Sequence, residues 1–242
     1  MPQPLPPALP ADYPRIKVVR SFEELVAYRF GPTVNALCWP RQLAGDFDEI
    51  AACFAGEDDV TSLDEESVAG LRPRLGAAGL LAADTLAADL QLMRGQNLQP
   101  SLECVPRYQR DDAAQIVPTD VYSYHADRAP IVADTYLCSY NQAASELVRN
   151  EEATRHVDIP ATRAALLQEF EREGMGGSFE EYLAENCYDL HYAAAAGATP
   201  ISFGFGNLWR IAIEYPNCPV PPCIHRAPAT VEGRLPRLLL IS

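Results

Sequence analysis

Tyr124-His125-Ala126-Asp127-Arg128-Ala129-Pro130 is the stretch on which the reading of this chain turns. In an extended backbone the side chains of i and i+2 leave the same face, so His125 and Asp127 point together while Tyr124 and Ala126 point away. An imidazole and a carboxylate placed in this way can grip one metal ion. The spacing alone recurs by chance, so it needs partners elsewhere in the chain. One is His225, in Cys223-Ile224-His225-Arg226-Ala227-Pro228, a second short β-like stretch. Two His and one carboxylate on one side of an ion form the facial arrangement that suits non-heme iron(II) and leaves further positions open.

Outward from this segment, residues 115–117, 121–125, 131–140, 201–205, 208–215, 223–226 and 237–241 are rich in β-branched, aromatic and aliphatic residues. Short strands punctuated by Gly and Pro turns predict a barrel or jelly roll for residues 101–242. A helical insert interrupts it at about 158–187. Asp158-Ile159-Pro160 opens its first helix, Gly174 to Gly177 close it, and Ser178-Phe179-Glu180-Glu181 has the form of a capping box. Residues 15–100 read as mainly helical. Ser21 caps a short helix ending near Arg29, Phe47, Ile50 and Phe54 share one helical face, Ser62 opens another helix, and Leu86, Leu90 and Met93 keep helical spacing in an Ala/Leu-rich run. Residues 34–39 read as a strand. Residues 1–14 carry six Pro and no periodicity, which predicts a disordered lead-in to one α+β domain spanning 15–242.

A chain of 242 residues, 48% hydrophobic and 21% charged, can bury its own core. Its formal charge of −14 argues against nucleic acid or an anionic membrane surface as a partner. Lys17 is the only lysine, and Arg128, Arg210, Arg226, Arg234 and Arg237 lie close in sequence to the candidate ligands. Local positive charge in an acidic protein suits a small carboxylate. Seven Cys with no signal-peptide pattern at the start suggest free thiols in a reducing cytoplasm. No apolar run reaches the length of a membrane span. A cytoplasmic protein acting on a small molecule is therefore the expectation, with the oligomeric state open.

The competing reading of His125 is a core histidine bonded to a carbonyl, with Asp127 capping the turn before Pro130. His191, in Asp189-Leu190-His191, offers a rival acid-x-His pair. Arg237, at the start of the closing strand, adds a planar cation able to take a carboxylate in two-point geometry. Taken together, His125-Ala126-Asp127, His225 and Arg237 resemble the iron(II)/2-oxoglutarate-dependent dioxygenases. Thr135-Tyr136-Leu137-Cys138-Ser139-Tyr140-Asn141 looks like the strand that follows the His-x-Asp in their prolyl-hydroxylase-like branch, and Gly206-Asn207-Leu208 resembles the turn before the strand leading to the distal His. Adding Asn35-Ala36-Leu37-Cys38-Trp39, the set is similar to a bacterial family catalogued as a domain of unknown function.

The first resemblance implies a double-stranded β-helix of the jelly-roll or cupin-like kind. It implies Fe(II) held by His125, Asp127 and His225, and the far carboxylate of 2-oxoglutarate held by Arg237, with Arg234 competing for that role. Ser139 and Asn141 would be lining contacts. Hydroxylation of a small molecule would follow, with a non-catalytic zinc- or iron-binding jelly roll as the alternative.

Overall fold

The computed structural model describes residues 9–10, 12–110, 116–174, 176–231 and 233–242. Most of the Pro-rich lead-in, and Gln115 of one expected strand, lie outside these. Along the chain come β1 (Ile16–Val18), α1 (Phe22–Ala27), β2 (Ala36–Trp39), α2 (Phe47–Ala52), β3 (Thr61–Leu63), α3 (Glu65–Leu71), α4 (Ala77–Arg94) and β4 (Ser101–Val105). The second half holds β5 (Tyr124–His125), β6 (Asp134–Ser139), β7 (Glu146–Leu147), β8 (Ala153–Arg155), α5 (Pro160–Glu173), α6 (Phe179–Glu185) and β9 (His191–Ala194). The last four strands are β10 (Ile201–Ser202), β11 (Leu208–Ala212), β12 (His225–Arg226) and β13 (Arg237–Ile241).

These strands form two sheets, in the orders β1-β2-β11-β6-β13-β4-β3 and β10-β7-β12-β5-β9-β8. All pairings are antiparallel except β1 with β2. The larger sheet is covered on both sides, which is why its central strands read as nearly continuous apolar runs. Outward, Leu37, Tyr136, Cys138, Tyr140, Leu238 and Leu240 pack against the helical layer through Leu25, Ile50, Leu86, Leu90 and Met93. Inward, Leu137, Trp209, Ile211 and Leu239 meet Leu147, Phe203 and Cys223 from the side of the smaller sheet. Alternate residues of each strand thus serve two different cores. The insert keeps a small core of its own around Leu166, Tyr182, Leu183 and Tyr188.

The caps follow local chemistry. Ser21 accepts the Glu24 backbone N–H, and Ser178 and Glu181 form the reciprocal box at α6. Gly174 closes α5 at φ +61°, a left-handed position that glycine adopts without a Cβ penalty. At Ser62 the expected helix start is displaced. Residues 61–63 pair with β4 as an edge strand, and Asp64 caps α3 by accepting from Ser67 N–H. The expected strand at 131–140 begins only at Asp134, because Ile131 and Val132 sit on an exposed loop, 71% and 77% accessible. Tyr13, assigned to the disordered lead-in, is instead buried, and its hydroxyl donates to Asn150 Oδ1 at 3.0 Å. Among the described residues no helix is long and apolar enough to cross a membrane.

Candidate metal centre

His125 and His225 face each other across β5 and β12 as directly opposed residues. Cross-strand partners place their Cβ atoms about 5 Å apart, so two imidazoles on one face must meet, and the ring centroids lie 4.6 Å apart. Asp127 follows two positions after His125 on the same face. Its backbone is fixed by its own C=O, which accepts Glu214 N–H at 2.9 Å, while Ala126 N–H donates to Leu190 C=O. His125 Nε2 lies 3.8 Å from Asp127 Oδ1, and His225 Nε2 lies 3.8 Å from Oδ2.

One ligand atom from each of the three residues falls within 4.8 Å of the others. An ion bonded at ~2.1 Å spreads neighbouring octahedral donors to roughly 3 Å, so a contraction of about 1 to 2 Å closes the set. The donor chemistry fits. His125 Nδ1–H points at the Ser123 carbonyl (2.8 Å) and His225 Nδ1–H at the Cys223 carbonyl (3.3 Å), which leaves both Nε2 lone pairs facing the carboxylate. Thr135 Oγ1–H donates to Asp127 Oδ2 at 2.6 Å, the kind of outer contact that fixes a ligating carboxylate. We expect Thr135→Val to weaken metal binding by about 10- to 100-fold, read by calorimetric titration of the metal-free protein, while leaving the stoichiometry at one.

Burial pushes the His125 imidazole down to about 4, with His225 adding to the effect and the Ser123 carbonyl and Asp127 opposing it. Burial would raise the Asp127 carboxyl, but His225, the Thr135 hydroxyl and His125 outweigh it and hold the group below its ordinary value. At neutral pH the pair is a neutral imidazole beside a carboxylate, the forms that ligate metal. Because the folded His125 value lies below the unfolded one, the unfolded chain takes up the proton first. The stability of metal-free protein is therefore complete above about pH 6.5 and falls as pH drops toward 4, by on the order of 3 kcal/mol from this group. Urea unfolding at stepped pH checks this, and His125→Gln should flatten that share of the slope.

The triad opens on a cavity of about 1020 Å³, whose walls include Asp120, Arg128, Leu190, His191, Tyr215 and Ile241. Ala184 and Cys187 bring the end of the helical insert to the same wall. Arg128 is clamped between Asp189 and Glu214. His191 pairs in register with His125, its ring tilted by 37° with centroids 5.7 Å apart; its Nδ1–H is engaged by the Cys187 carbonyl, and it stands outside the triad.

The expected cosubstrate contacts lie elsewhere. Along β6 the inward residues are Thr135, Leu137 and Ser139, and along β13 they are Ile241, Leu239 and Arg237. Thr135 and Ile241 stand at the metal end, Ser139 and Arg237 at the other, roughly 13 Å along the strand. In register Leu137 stands opposite Ile241 and Leu239 opposite Ser139, and these two side chains pack with Trp209 and Phe203. Arg237 Nη2 donates to Ser139 Oγ and Ser145 Oγ, each at 2.7 Å, and the residue lines a separate cavity that also includes Arg234. Asn141 is spent on structure: its amide nitrogen donates to Asp48 and the Pro236 carbonyl, and its oxygen accepts Leu238 N–H. Ser145 and the clamping carbonyls of Ser123 and Cys223 carry no signal in the sequence, since any residue has a carbonyl and a lone Ser has no pattern. Family models, curated proteins and solved structures yield no match to this chain.

Proposed function

We propose that the chain is a non-heme iron(II)/2-oxoglutarate-dependent oxygenase that hydroxylates a small molecule held in the cavity beside the triad. The observation that carries this reading is the convergence of two carbonyl-anchored imidazoles on one hydroxyl-anchored carboxylate, open on one side to a cavity of about 1020 Å³. The strand order supports a double-stranded β-helix. In chain order β4, β5, β6, β7, β10, β11, β12 and β13 give a sheet ordered 1-8-3-6 facing one ordered 2-7-4-5, with the remaining strands added at the edges.

His125, Asp127 and His225 would hold the ion on one side, and iron(II) with the keto acid would bring oxygen activation to that cavity. The chain's own residues set the rest. Ser123 and Cys223 fix the ring tautomers, Thr135 orients the carboxylate, and Leu190, Ile241 and the end of the insert restrict water. Arg237, buried and with no carboxylate partner among the described residues, is the candidate for the far carboxylate, provided the packed Leu137 and Leu239 side chains move aside.

The packing of those two leucines favours a second reading, a zinc- or iron-binding protein without turnover. Anaerobic titration of metal-free protein with iron(II) and then 2-oxoglutarate separates the two. The oxygenase reading expects a weak visible charge-transfer band, followed by succinate once oxygen is admitted. Tight iron or zinc binding with neither band nor succinate leaves the second reading standing.

A further inference from the structure

We propose that the cavity beside the triad takes a small ammonium-bearing molecule with an apolar body, its cation met by Asp120. This deepens the reading above and rests on it for the role of the cavity as the substrate site. Three carboxylates stand in the described wall, those of Asp120, Asp127 and Glu214, against one guanidinium, that of Arg128. Two of the three are already answered. Asp127 lies between the two imidazoles and would carry the ion. Glu214 is shared by Arg128 and Arg155, and Arg128 also reaches Asp189, so these side chains close on themselves with no net charge.

Asp120 is the exception. It makes no ion pair among the described residues, which include every Lys and Arg of the chain. Its Oδ1 accepts the Tyr122 and Ser123 N–H groups at 3.0 and 3.1 Å, which holds the carboxylate in place on the wall. Its charge is felt at His191, whose ring lies beside that of His125, so the anion stands close to the centre. A fixed charge on a cleft wall, without a partner in the protein, gathers the opposite charge from solution. In the reading above the ion and Arg237 meet the charges of the keto acid, and Asp120 is what remains for the substrate.

The other walls describe the body of the ligand. An ammonium donates charge-assisted hydrogen bonds to a carboxylate, and Tyr215 adds an aromatic surface that suits a cation. Val121, Leu190 and Ile241 are apolar. Directly after Pro130 of the wall, Ile131 and Val132 stand exposed, and an aliphatic chain leaving the cavity would take them out of water. An anion would meet like charge at Asp120.

Calorimetric titration of metal-free wild-type protein at neutral pH tests the proposal, with hexylamine as the cation, 1-hexanol as its uncharged counterpart and hexanoate as the anion. Hexylamine should bind, and the other two at least about tenfold more weakly. Asp120→Asn, which keeps the Oδ1 acceptor for both N–H groups, should weaken hexylamine about tenfold and leave hexanol within twofold. No binding of hexylamine, hexanol or hexanoate binding as tightly, or an unchanged hexylamine Kd in Asp120→Asn with wild-type circular dichroism would each overturn it. The comparison of hexylamine with hexanol in the wild type decides the matter whether or not the variant folds. Hexylamine binding without the iron and 2-oxoglutarate band would sink only the oxygenase reading, and succinate formation without hexylamine binding only this one.

Discussion

His225→Ala is expected to abolish stoichiometric metal binding at the candidate centre, with a loss well beyond the 10- to 100-fold typical of outer contacts. The size of the effect follows from the geometry. Two imidazoles and one carboxylate are the whole donor set among the described residues, so removing one leaves a His-x-Asp pair with no third anchor. His191 does not substitute, because β9 lies on the opposite side of β5 from β12 and the converging ligand atoms are those of His125, Asp127 and His225. The measurement is elemental analysis of protein purified without chelator, together with the Kd for iron(II) or zinc. Circular dichroism should remain that of the wild type, since Ala keeps the backbone pairings of β12 with β5 and β7. Retention of one equivalent of ion at wild-type affinity would remove His225 from the centre.

Asp89→Ala should cost about 3 to 5 kcal/mol of stability, the largest effect expected away from the metal. Asp89, in α4, receives both ends of the Arg41 guanidinium at 2.6 and 2.9 Å and the Tyr140 hydroxyl at 2.6 Å. Both charged side chains are nearly inaccessible, at 8% and 7%. Truncation would leave a buried guanidinium with only the Gly206 carbonyl and a thiol, and Tyr140 without its acceptor. Urea unfolding reads it as a lowered midpoint with an unchanged slope. A loss under 1 kcal/mol would mean that water reaches Arg41 in the variant.

How much of this could be read beforehand differs by element. The His-x-Asp, the distal His and the strand character around them were legible because period-two alternation fixes a face without any knowledge of the fold. The cap at Ser21 and the capping box at Ser178 were legible for a similar reason, being local. Ser62 misled because a Ser followed by acidic residues looks like a cap whether or not an edge strand claims it first. Ile131 and Val132 misled because β-propensity describes fit to a half-buried surface, and here no neighbouring strand offers one. The cosubstrate contacts were least legible. Arg237 lies on the inward face as its position implied, but whether an inward side chain meets the metal depends on how far along the strand it stands, and register is set by pairing with β6 and β4.

The last two strands in chain order, β12 and β13, both occupy interior places, one between β5 and β7, the other between β4 and β6. During synthesis from the N-terminus, each sheet therefore waits in two halves, and the candidate triad cannot assemble before residue 225 has been made. Assembly of both layers is concentrated in one late, long-range event, the kind of pairing that slows folding. A nascent chain stalled short of β12 would expose unsatisfied strand edges on both sheets, an invitation to association with its neighbours.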